Sequence, residues 1–554
     1  MANIMSLKSL RNKTSRNGFD LSFKKNFTAK AGELLPVMVK EVLPGDSFRI
    51  DLKSFTRTQP INTAAFARIR EYYDFYFVPY DLLWNKANTA LTQMYDNPQH
   101  AVSLDPTQNF GLEGLMPSVT AKGIVDYLSS FGTTYKSYDK NYFNYSRSEC
   151  SAKLLEYLGY GNFYSFTTNT VRGGENWSTL PLMSNLTFNL FGLLAYQKIY
   201  ADYYRDSQWE RVSPSTFNVD YMDGTSNMSI DSLIYGETSS KVVQNYNLFD
   251  LRYCNWQKDL FHGVVPHQQY GDLSGVAIGK IPPDDESGFT ILALRQAEFL
   301  QKWKEITQSG NKDYKDQIEK HWGVSVGDGF SELCTYLGGI SSSIDINEVV
   351  NTNITGENGA DIAGKGTGVS NGVINFNSGG KFGLVMCIYH CLPLLDYTAT
   401  LLNSAFTKVR VTDYAIPEFD RVGMELVPLR KMINPPAEDF STFADTAIGY
   451  APRYIDYKTS VDCSIGGFSD TLRHWVISYS ETSILNQLGS KDSVNQPSPT
   501  AAPMNYTFFK VNPNCLNPLF AVAADSSVDT DQFLCSSFFD IKVVRNLDTD
   551  GLPY

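Results

Sequence analysis

The hexapeptide FRIDLK, from Phe48 to Lys53, alternates strictly between apolar and charged residues. Successive side chains of a β-strand point to opposite faces of the sheet, so this period of two places Phe48, Ile50 and Leu52 on one face. A Pro-Gly-Asp turn signal at residues 44–46 stands just before the hexapeptide. The segment therefore predicts a half-buried strand that begins directly after a turn.

Three other segments extend this β pattern. The run EYYDFYFVPY, Glu71 to Tyr80, is almost continuously aromatic and predicts a strand that is buried on both faces. FFDIKVV, Phe538 to Val544, alternates in the same way as the hexapeptide. FGLVMCIYHCLPLL, Phe382 to Leu395, is shorter than the ~18–20 apolar residues that span a bilayer. We interpret this last segment as a buried pair of strands.

Helical patterns are few. ILALRQAEFLQKWKEI, Ile291 to Ile306, carries an apolar stripe at helical spacing, formed by Ala293, Ala297, Leu300 and Trp303. A second helix is predicted in DYKDQIEKHW, with Gly323 as its end. The Tyr-rich residues 118–180 and the Ser- and Asn-rich residues 218–247 show little periodicity. Without any β-α-β alternation, the pattern predicts a mainly β protein with long loops and a few inserted helices.

Composition excludes several classes of protein. The 554 residues are 42% hydrophobic and 19% charged, which excludes a disordered chain. The N-terminal residues contain no apolar segment of the kind that a secretory signal requires, so we expect the protein to remain in the compartment where it is made. Eight cysteines without a C-x-x-C motif indicate neither a disulfide framework nor a zinc ribbon.

Charge is distributed unevenly along the chain. Residues 1–30 contain seven basic residues and one acidic residue, a formal charge of +6, whereas the whole chain carries −12. The remaining residues therefore carry −18. A basic arm on an acidic body is typical of a protein with one face toward a polyanion, and Phe19, Phe23 and Phe27 in the same segment suit stacking on unpaired bases. A solvated terminus without a binding role remains the alternative.

Motifs for catalysis or cofactor binding are weak. Gly359, Gly364 and Lys365 have the spacing of a phosphate-binding loop, but Gly366 occupies the place of the Ser or Thr that would bind Mg²⁺. Because no buried strand is visible before this motif, residues 351–372 are interpreted as a flexible glycine-rich loop. No catalytic residue is nominated, since the chain contains no G-x-S-x-G or H-E-x-x-H motif.

Cys387, His390 and Cys391 raise the question of a metal site. On a strand, the two cysteines share one face and the histidine points to the other, so a buried core cluster is the preferred interpretation. We therefore expect no metal ion and no cofactor.

Several long runs of this sequence resemble one family of viral proteins. They are FTAKAGELLPVMVKEVLPGDSFRID (27–51), FTRTQPINTAAFARIREYYDFYFVPYDLLW (55–84), AYQKIYADYYRDSQWE (195–210), LRYCNWQKDLFHGVVPHQQYGD (251–272), LRQAEFLQKWKEITQSGNKDYKDQIEKHWGV (294–324), GYAPRYIDYK (449–458) and FLCSSFFDIKVVRNLDTDGLPY (533–554). In these runs the chain is similar to the major capsid proteins of the gokushovirus branch of the microviruses, small tailless phages with circular single-stranded DNA. The resemblance extends from about residue 19 to the last residue.

The resemblance implies a fold and an assembly. It implies an eight-stranded antiparallel jelly roll with very long insertions between its strands, forming a single domain over residues 31–554 behind the basic arm of residues 1–30. Roughly sixty copies would close an icosahedral shell around the genome. An insertion at about residues 215–290, with its tip at 218–247, would project as a trimeric spike at the three-fold axes and contact the host; an ordinary disordered surface loop is the alternative.

The implied partners are other copies of the chain, the single-stranded DNA genome, small DNA-binding and pilot proteins, and a receptor on the host cell. The protein would be a virion component that assembles in the host cytoplasm. Six basic residues of the arm are expected to contact the DNA or lie near it: Lys8, Arg11, Lys13, Arg16, Lys24 and Lys25. A competing interpretation is a jelly-roll protein that binds or cleaves carbohydrate, since aromatic residues and scattered carboxylates suit that role as well.

Overall fold

The chain folds mainly into antiparallel β-strands. The structure, a computed structural model, describes residues 15–63, 65–92, 116–130, 142–143, 145–163, 186–221, 246–266, 291–310, 313–327, 331–350, 362–398, 403–420, 423–432, 447–479, 506–520 and 531–549. The strands of the main sheet are β1 (Asn17–Asp20), β2 (Phe23–Ala29), β3 (Leu35–Val42), β4 (Ser47–Thr58), β5 (Ile69–Pro79), β8 (Thr335–Val350), β9 (Ile362–Asn377), β10 (Gly383–Pro393) and β15 (Phe533–Arg545). Short strands outside it are β6 (Ser118–Thr120), β7 (Thr187–Asn189), β11 (Asp396–Tyr397), β12 (Met424–Pro428), β13 (Ala447–Pro452) and β14 (Ser478–Tyr479).

Helices lie in the insertions between strands. In the part of the chain that the structure describes they are α1 (Ala87–Thr92), α2 (Ala121–Ser130), α3 (Arg147–Leu158), α4 (Phe191–Ile199), α5 (Ile291–Ser309), α6 (Tyr314–Trp322) and α7 (Ser404–Thr407). A π-helical turn, Tyr200–Tyr204, continues α4. The predicted helices at 291–306 and 313–322 are confirmed, and Gly323 ends α6 in a left-handed conformation with φ of 66°.

Strand pairing is nested. β5 pairs with β8, β4 with β9, β3 with β10 and β2 with β15, so each early strand pairs with the late strand that mirrors it. β1 extends the line of β2 along β15, and the nine strands therefore fill eight positions. Nested antiparallel pairing is the arrangement of a rolled-up hairpin. It confirms the expected eight-stranded antiparallel jelly roll.

The roll consists of two facing sheets. One sheet contains β2, β15, β4 and β9, with β1 on its edge, and we call it the open sheet. The other contains β8, β5, β10 and β3, and we call it the covered sheet. The two are joined where β8 and β9 pair, between residues 344–350 and 362–368.

Side chains from the two sheets meet in the interior of the roll. The ring of Phe27 on β2 packs edge-on against Tyr389 on β10, with 5.1 Å between the ring centroids. The Ser54 hydroxyl lies 2.6 Å from the hydroxyl of Tyr73, and Thr56 donates a hydrogen bond of 2.6 Å to Glu71. These contacts link β4 to β5, which are not neighbours in either sheet, so they fix how the two sheets face each other.

The chain's own insertions bury much of the outer face of the covered sheet, whereas outward residues of β8 such as Tyr336 remain exposed. Every residue of α4 except Gly192 is buried, and the π-helical turn brings Tyr204 onto the sheet. The Tyr204 hydroxyl donates a hydrogen bond of 2.9 Å to Asp74 of β5 and accepts one of 3.0 Å from Tyr76. The central residues of β5 and β10 are therefore buried on both faces, as predicted for the aromatic run from Glu71.

The open sheet, in contrast, alternates between buried and exposed residues. Along β4 and β15 every second side chain points into the roll, beginning with Phe48 and with Phe533. The predicted inward side chains Ile50, Leu52 and Ile541 are each no more than 1% exposed. The side chains between them point outward, and the described insertions leave many of them accessible to solvent.

Two sequence-based predictions of secondary structure are wrong. Residues 383–393 form one strand, β10, instead of a pair, because β5 and β3 flank the segment along its length. Residues 362–372 belong to β9 and are not a loop. Glycine is needed there for close packing: a Cβ at Gly364 would lie 2.4 Å from the carbonyl oxygen of Thr63, and one at Gly372 would lie 2.7 Å from Ile340.

The register of β15 makes a prediction about stability. Phe539 is fully buried and stacks on Phe23 with 5.2 Å between centroids, whereas its neighbour Phe538 points outward and is 39% exposed. We expect Phe539→Ala to lower the free energy of unfolding by about 3–5 kcal/mol, since it leaves a cavity between the sheets. Phe538→Ala should change it by no more than about 0.5 kcal/mol. Denaturant unfolding of the two variants checks this, and equal losses would contradict the register.

Candidate nucleic-acid interface

The basic arm divides into two parts. Lys8, Arg11 and Lys13 lie outside the described residues. Residues 17–29 form β1 and β2, so the second half of the arm is built into the open sheet. β1 pairs with the C-terminal end of β15, where Asn17 lies opposite Arg545. The first half of the arm therefore joins the roll at this edge of the open sheet.

Arg16 and Lys25 bind groups of the roll itself. The Arg16 guanidinium donates hydrogen bonds of 2.9 Å to the carbonyl of Gly45 and to the hydroxyl of Ser47. The Lys25 ammonium donates one of 2.9 Å to the carbonyl of Tyr157 in α3. Burial lowers the pKa of Lys25 to about 8. Both residues thus hold the arm on the roll, whatever else they contact.

Lys25 borders a cavity of about 640 Å³ between β2 and α3. Lys153 crosses this region and lies 2.7 Å from Glu33 and 3.1 Å from Asp531. Burial acts to lower the pKa of Lys153, but the two carboxylates outweigh it and raise the pKa above the ordinary lysine value. Because acidic side chains neutralise the cations here, we interpret this cluster as a structural tie between α3 and the roll.

Lys24 points in the opposite direction from Lys25 and is exposed. It belongs to a cluster on the outer face of the open sheet that we call the open-face patch. The open-face patch consists of Lys24, Lys53, Phe55, Arg57, Leu534 and Phe538. Its members lie side by side because the strands are in register: Phe538 is opposite both Lys24 and Lys53, and Leu534 is opposite Arg57. Neighbouring strands lie ~4.8 Å apart, so these side chains form one continuous surface.

The cations of the open-face patch are available for a ligand. Within the described part of the chain, Lys24 and Lys53 form no ion pair, and the Arg57 guanidinium lies over the ring of Phe55 at 5.0 Å from its centroid. The carboxylates of this face begin in the next cross-strand row, where Asp51 stands opposite Asp540, and Asp20 and Asp540 pair with Lys542. The open-face patch is therefore positively charged and partly aromatic.

Sequence reasoning nominated only Lys24 among these residues. Lys53 was recognised as an outward residue of FRIDLK, and Phe538 falls outside the inward set of FFDIKVV. The alternating pattern of the strands did contain a signal for this patch, because Phe and Leu are unusual at outward positions of a solvated sheet face. The sequence alone does not reveal that β2 and β4 both pair with β15. This pairing brings together residues that are almost 500 positions apart in the chain, such as Ser54 and Ser537.

The predicted core cluster on β10 is confirmed. Cys387 and Cys391 are buried inside the roll, and His390 is buried on the opposite face, stacked on Tyr72 with 4.9 Å between centroids. Burial lowers the pKa of His390 to about 3. Among the described residues no three His, Cys, Asp or Glu side chains are grouped so that they would hold a metal ion.

A second exposed surface lies on the helix pair α5–α6. The two helices are joined by hydrogen bonds between Thr307 and His321, 2.9 Å, and from Gln317 to the carbonyl of Thr307, 3.1 Å. Large apolar side chains on the pair are exposed, including Trp303 at 54% and Trp322 at 67%. The stripe predicted on α5 is therefore not buried in the core of its own chain. None of the described helices is long and apolar enough to cross a bilayer.

Comparison with known proteins identifies the family. A family model described as "Capsid protein (F protein)" matches residues 8–161 and 284–554. A protein named "Capsid protein VP1" from Chlamydia phage 1 is 21% identical over 613 residues, which cover 97% of this chain and 95% of that protein. "Capsid protein VP1" from Bdellovibrio phage phiMH2K is 31% identical over 111 residues, 20% of this chain and 18% of that protein. The resemblance that the sequence indicated is confirmed, and the chain belongs to the F-type capsid protein family of phages.

Proposed function

We propose that this capsid protein assembles with copies of itself into an icosahedral shell around a single-stranded DNA genome. The main support is the exposed apolar surface of the α5–α6 pair, which has no partner within the described chain. Exposed apolar patches of this kind are typical of protein interfaces. A closed shell repeats each contact many times, so individually weak contacts suffice.

The role is structural rather than catalytic. Buried charged clusters such as Lys153 with Glu33 and Asp531 are ion pairs, and the buried thiols of Cys387 and Cys391 have raised pKa values because of burial. Inert buried thiols and paired charges stabilise a scaffold but supply no nucleophile or base. The carbohydrate-directed alternative would require a monomer or small oligomer, which the particle measurement below distinguishes.

Electron microscopy of the purified protein tests the assembly. We expect closed, uniform particles of megadalton mass, in keeping with roughly sixty copies per shell. Nuclease-protected DNA extracted from them should be single-stranded. A protein that remains a monomer or small oligomer at all concentrations, and that binds a soluble glycan, would contradict the proposal and favour the carbohydrate-directed class.

The basic arm faces the genome in this proposal. Its six residues Lys8, Arg11, Lys13, Arg16, Lys24 and Lys25 contact DNA or lie near it, with support from the +6 charge of residues 1–30. Neutralising phosphates releases counterions, so such contacts weaken as salt concentration rises. Arg16 and Lys25 also hold the arm on the roll, so a clean test spares both of them.

We therefore expect the variant Lys8→Gln, Arg11→Gln, Lys13→Gln to package less DNA per particle and to release it at lower salt. The matched control removes three lysines outside the arm and outside the α5–α6 pair, Lys258, Lys381 and Lys458. DNA content per particle, measured by absorbance over a salt series, distinguishes the two variants. If the DNA content per particle and its salt dependence are unchanged in the arm variant, Lys8, Arg11 and Lys13 do not contribute to DNA binding.

Residues 215–290 form the proposed spike insertion, with the tip at 218–247. The family model leaves residues 162–283 unmatched, which supports an insertion in this region. Residues 222–245 and 267–290 lie outside the described residues. The chain is anchored at the beginning of the tip and just after it: the Val219 amide donates to the carbonyl of Leu83 at 2.9 Å, and Phe249 is fully buried.

Replacing residues 222–245 by a short Gly-Ser linker should leave the shells intact and abolish adsorption to host cells, since both anchors are retained. A variant with the same residues in scrambled order keeps the length of the insertion and separates the effect of its sequence from that of its bulk. Sedimentation checks the shells, and a binding assay with cells checks adsorption. Failure to form shells would show that the segment is needed for assembly instead.

A further inference from the structure

We infer that the open-face patch binds unpaired bases and phosphates of single-stranded DNA, so that the outer face of the open sheet is a nucleic-acid platform of this chain. This inference rests on the proposed packaging of single-stranded DNA and names a second site for it, on the folded sheet and apart from residues 1–14 of the arm.

The aromatic rings have the placement that base stacking needs. Phe55 and Phe538 stand on neighbouring strands, on the same outward face, and each is 39% exposed. Phe538 lies opposite Lys53, two residues from Phe55, and such diagonal neighbours are ~7–8 Å apart. Each ring is therefore partly accessible to a base, with Arg57 over one face of Phe55. Stacking tolerates any base because every base has a π-face.

The cations are interleaved with the rings. Lys24 and Lys53 flank Phe538 on both sides in one cross-strand row, and Arg57 lies over Phe55. No carboxylate occupies the three rows that contain the open-face patch, which end in Asn371, Val369 and Thr367 on β9. Cations that alternate with exposed rings are complementary to the two parts of a nucleotide: phosphate for the ammonium groups and base for the rings.

A shallow depression of about 500 Å³ lies over this surface. It is lined by Lys24, Asn26, Thr28, Phe55, Arg57, Leu534 and Ser536. Asn26 and Ser536 add neutral hydrogen-bonding groups beside the rings, suitable for base edges and sugar oxygens, whereas the Thr28 hydroxyl already donates to Asp531. An apolar partner would leave these polar groups and the three cations without partners, which disfavours a hydrophobic interface between two chains at this place.

The arm reaches the DNA from the same sheet. β1 and β2 both pair with β15, so residues 1–14 join the sheet that carries the open-face patch. On the covered sheet, α4 and the Tyr200–Tyr204 turn cover much of the outer face of β5 and β10, and the exposed strand β8 carries no lysine or arginine. The strands β1 and β2, which follow residues 1–14, and the open-face patch thus belong to the same sheet.

The test uses the full chain with a fluorescent oligo-dT and with an abasic oligonucleotide of the same length and charge. The double variant Phe55→Ala, Phe538→Ala should bind oligo-dT about tenfold more weakly or worse, while its affinity for the abasic strand stays unchanged. The triple variant Lys24→Gln, Lys53→Gln, Arg57→Gln should bind both strands more weakly. Its plot of log affinity against log salt should be shallower by about 2, because about 0.7 is lost per phosphate contact.

The control variant Lys258→Gln, Lys381→Gln, Lys458→Gln removes the same charge elsewhere and should leave the salt slope unchanged. All the substituted side chains of the patch point outward, and circular dichroism with a melting curve verifies that each variant is folded. Equal losses for oligo-dT and the abasic strand in the aromatic variant would exclude stacking. Unchanged DNA affinity together with impaired self-association would show that the face contacts another copy of the chain, which also overturns the inference.

The outcomes separate this inference from the proposed function. Particles that contain single-stranded DNA, combined with patch variants that bind oligo-dT normally, would overturn the platform and leave the capsid function standing. A chain that never forms particles would contradict the proposed function, whatever its affinity for oligonucleotides.

Discussion

Packing between the two sheets is the constraint on which the rest of the structure depends. Glu71 stands at its centre: it is fully buried and accepts hydrogen bonds of 2.6 Å from Thr56, 2.9 Å from Ser342 and 2.6 Å from Ser370. A buried carboxyl group without such partners would cost several kcal/mol, so the hydroxyl groups must meet it from three strands at once. Only one register of β4, β8 and β9 around β5 satisfies this requirement.

The register that fixes which side chains face the interior also fixes which side chains face outward, because successive side chains of a strand point to opposite faces of the sheet. On the covered sheet, the long insertions return to bury much of the outer face of β5 and β10, and the Tyr204 hydroxyl donates a hydrogen bond to Asp74 there. On the open sheet the outer face keeps cations and exposed rings. The two outer faces of the roll therefore differ. The face of the covered sheet packs against the chain's own insertions, and the face of the open sheet is suited to binding a ligand. A shell protein needs such a distinction between its two surfaces.

Much of the fold could be predicted from local patterns. Alternation in FRIDLK and FFDIKVV gave β4 and β15 with the correct inward residues, and the glycine after Trp322 marked the end of α6. Features that depend on distant contacts were missed. The helix α4 is buried nearly all round and so lacks an amphipathic stripe, and the glycines of β9 looked like a loop until the close approach of Thr63 and Ile340 was visible.

The candidate site likewise combines features that local sequence patterns predict with features that depend on distant contacts. Charge counting identified the basic arm, but the role of Lys25 in binding the Tyr157 carbonyl required the position of α3. The open-face patch required the pairing of three strands from the two ends of the chain, which no local pattern contains. The resemblance to capsid proteins led to the proposal of a shell around a genome, whereas the residues alone left a DNA shell and a carbohydrate-directed protein both open.

The most direct test of the account is a cryo-electron microscopy reconstruction of DNA-filled particles at a resolution that shows side chains. We expect the open sheet to face the particle interior, with nucleic-acid density over Phe55 and Phe538, and the covered sheet to face outward beneath its insertions. A reconstruction with the open sheet on the outer surface, or with a neighbouring subunit seated on it, would contradict the account.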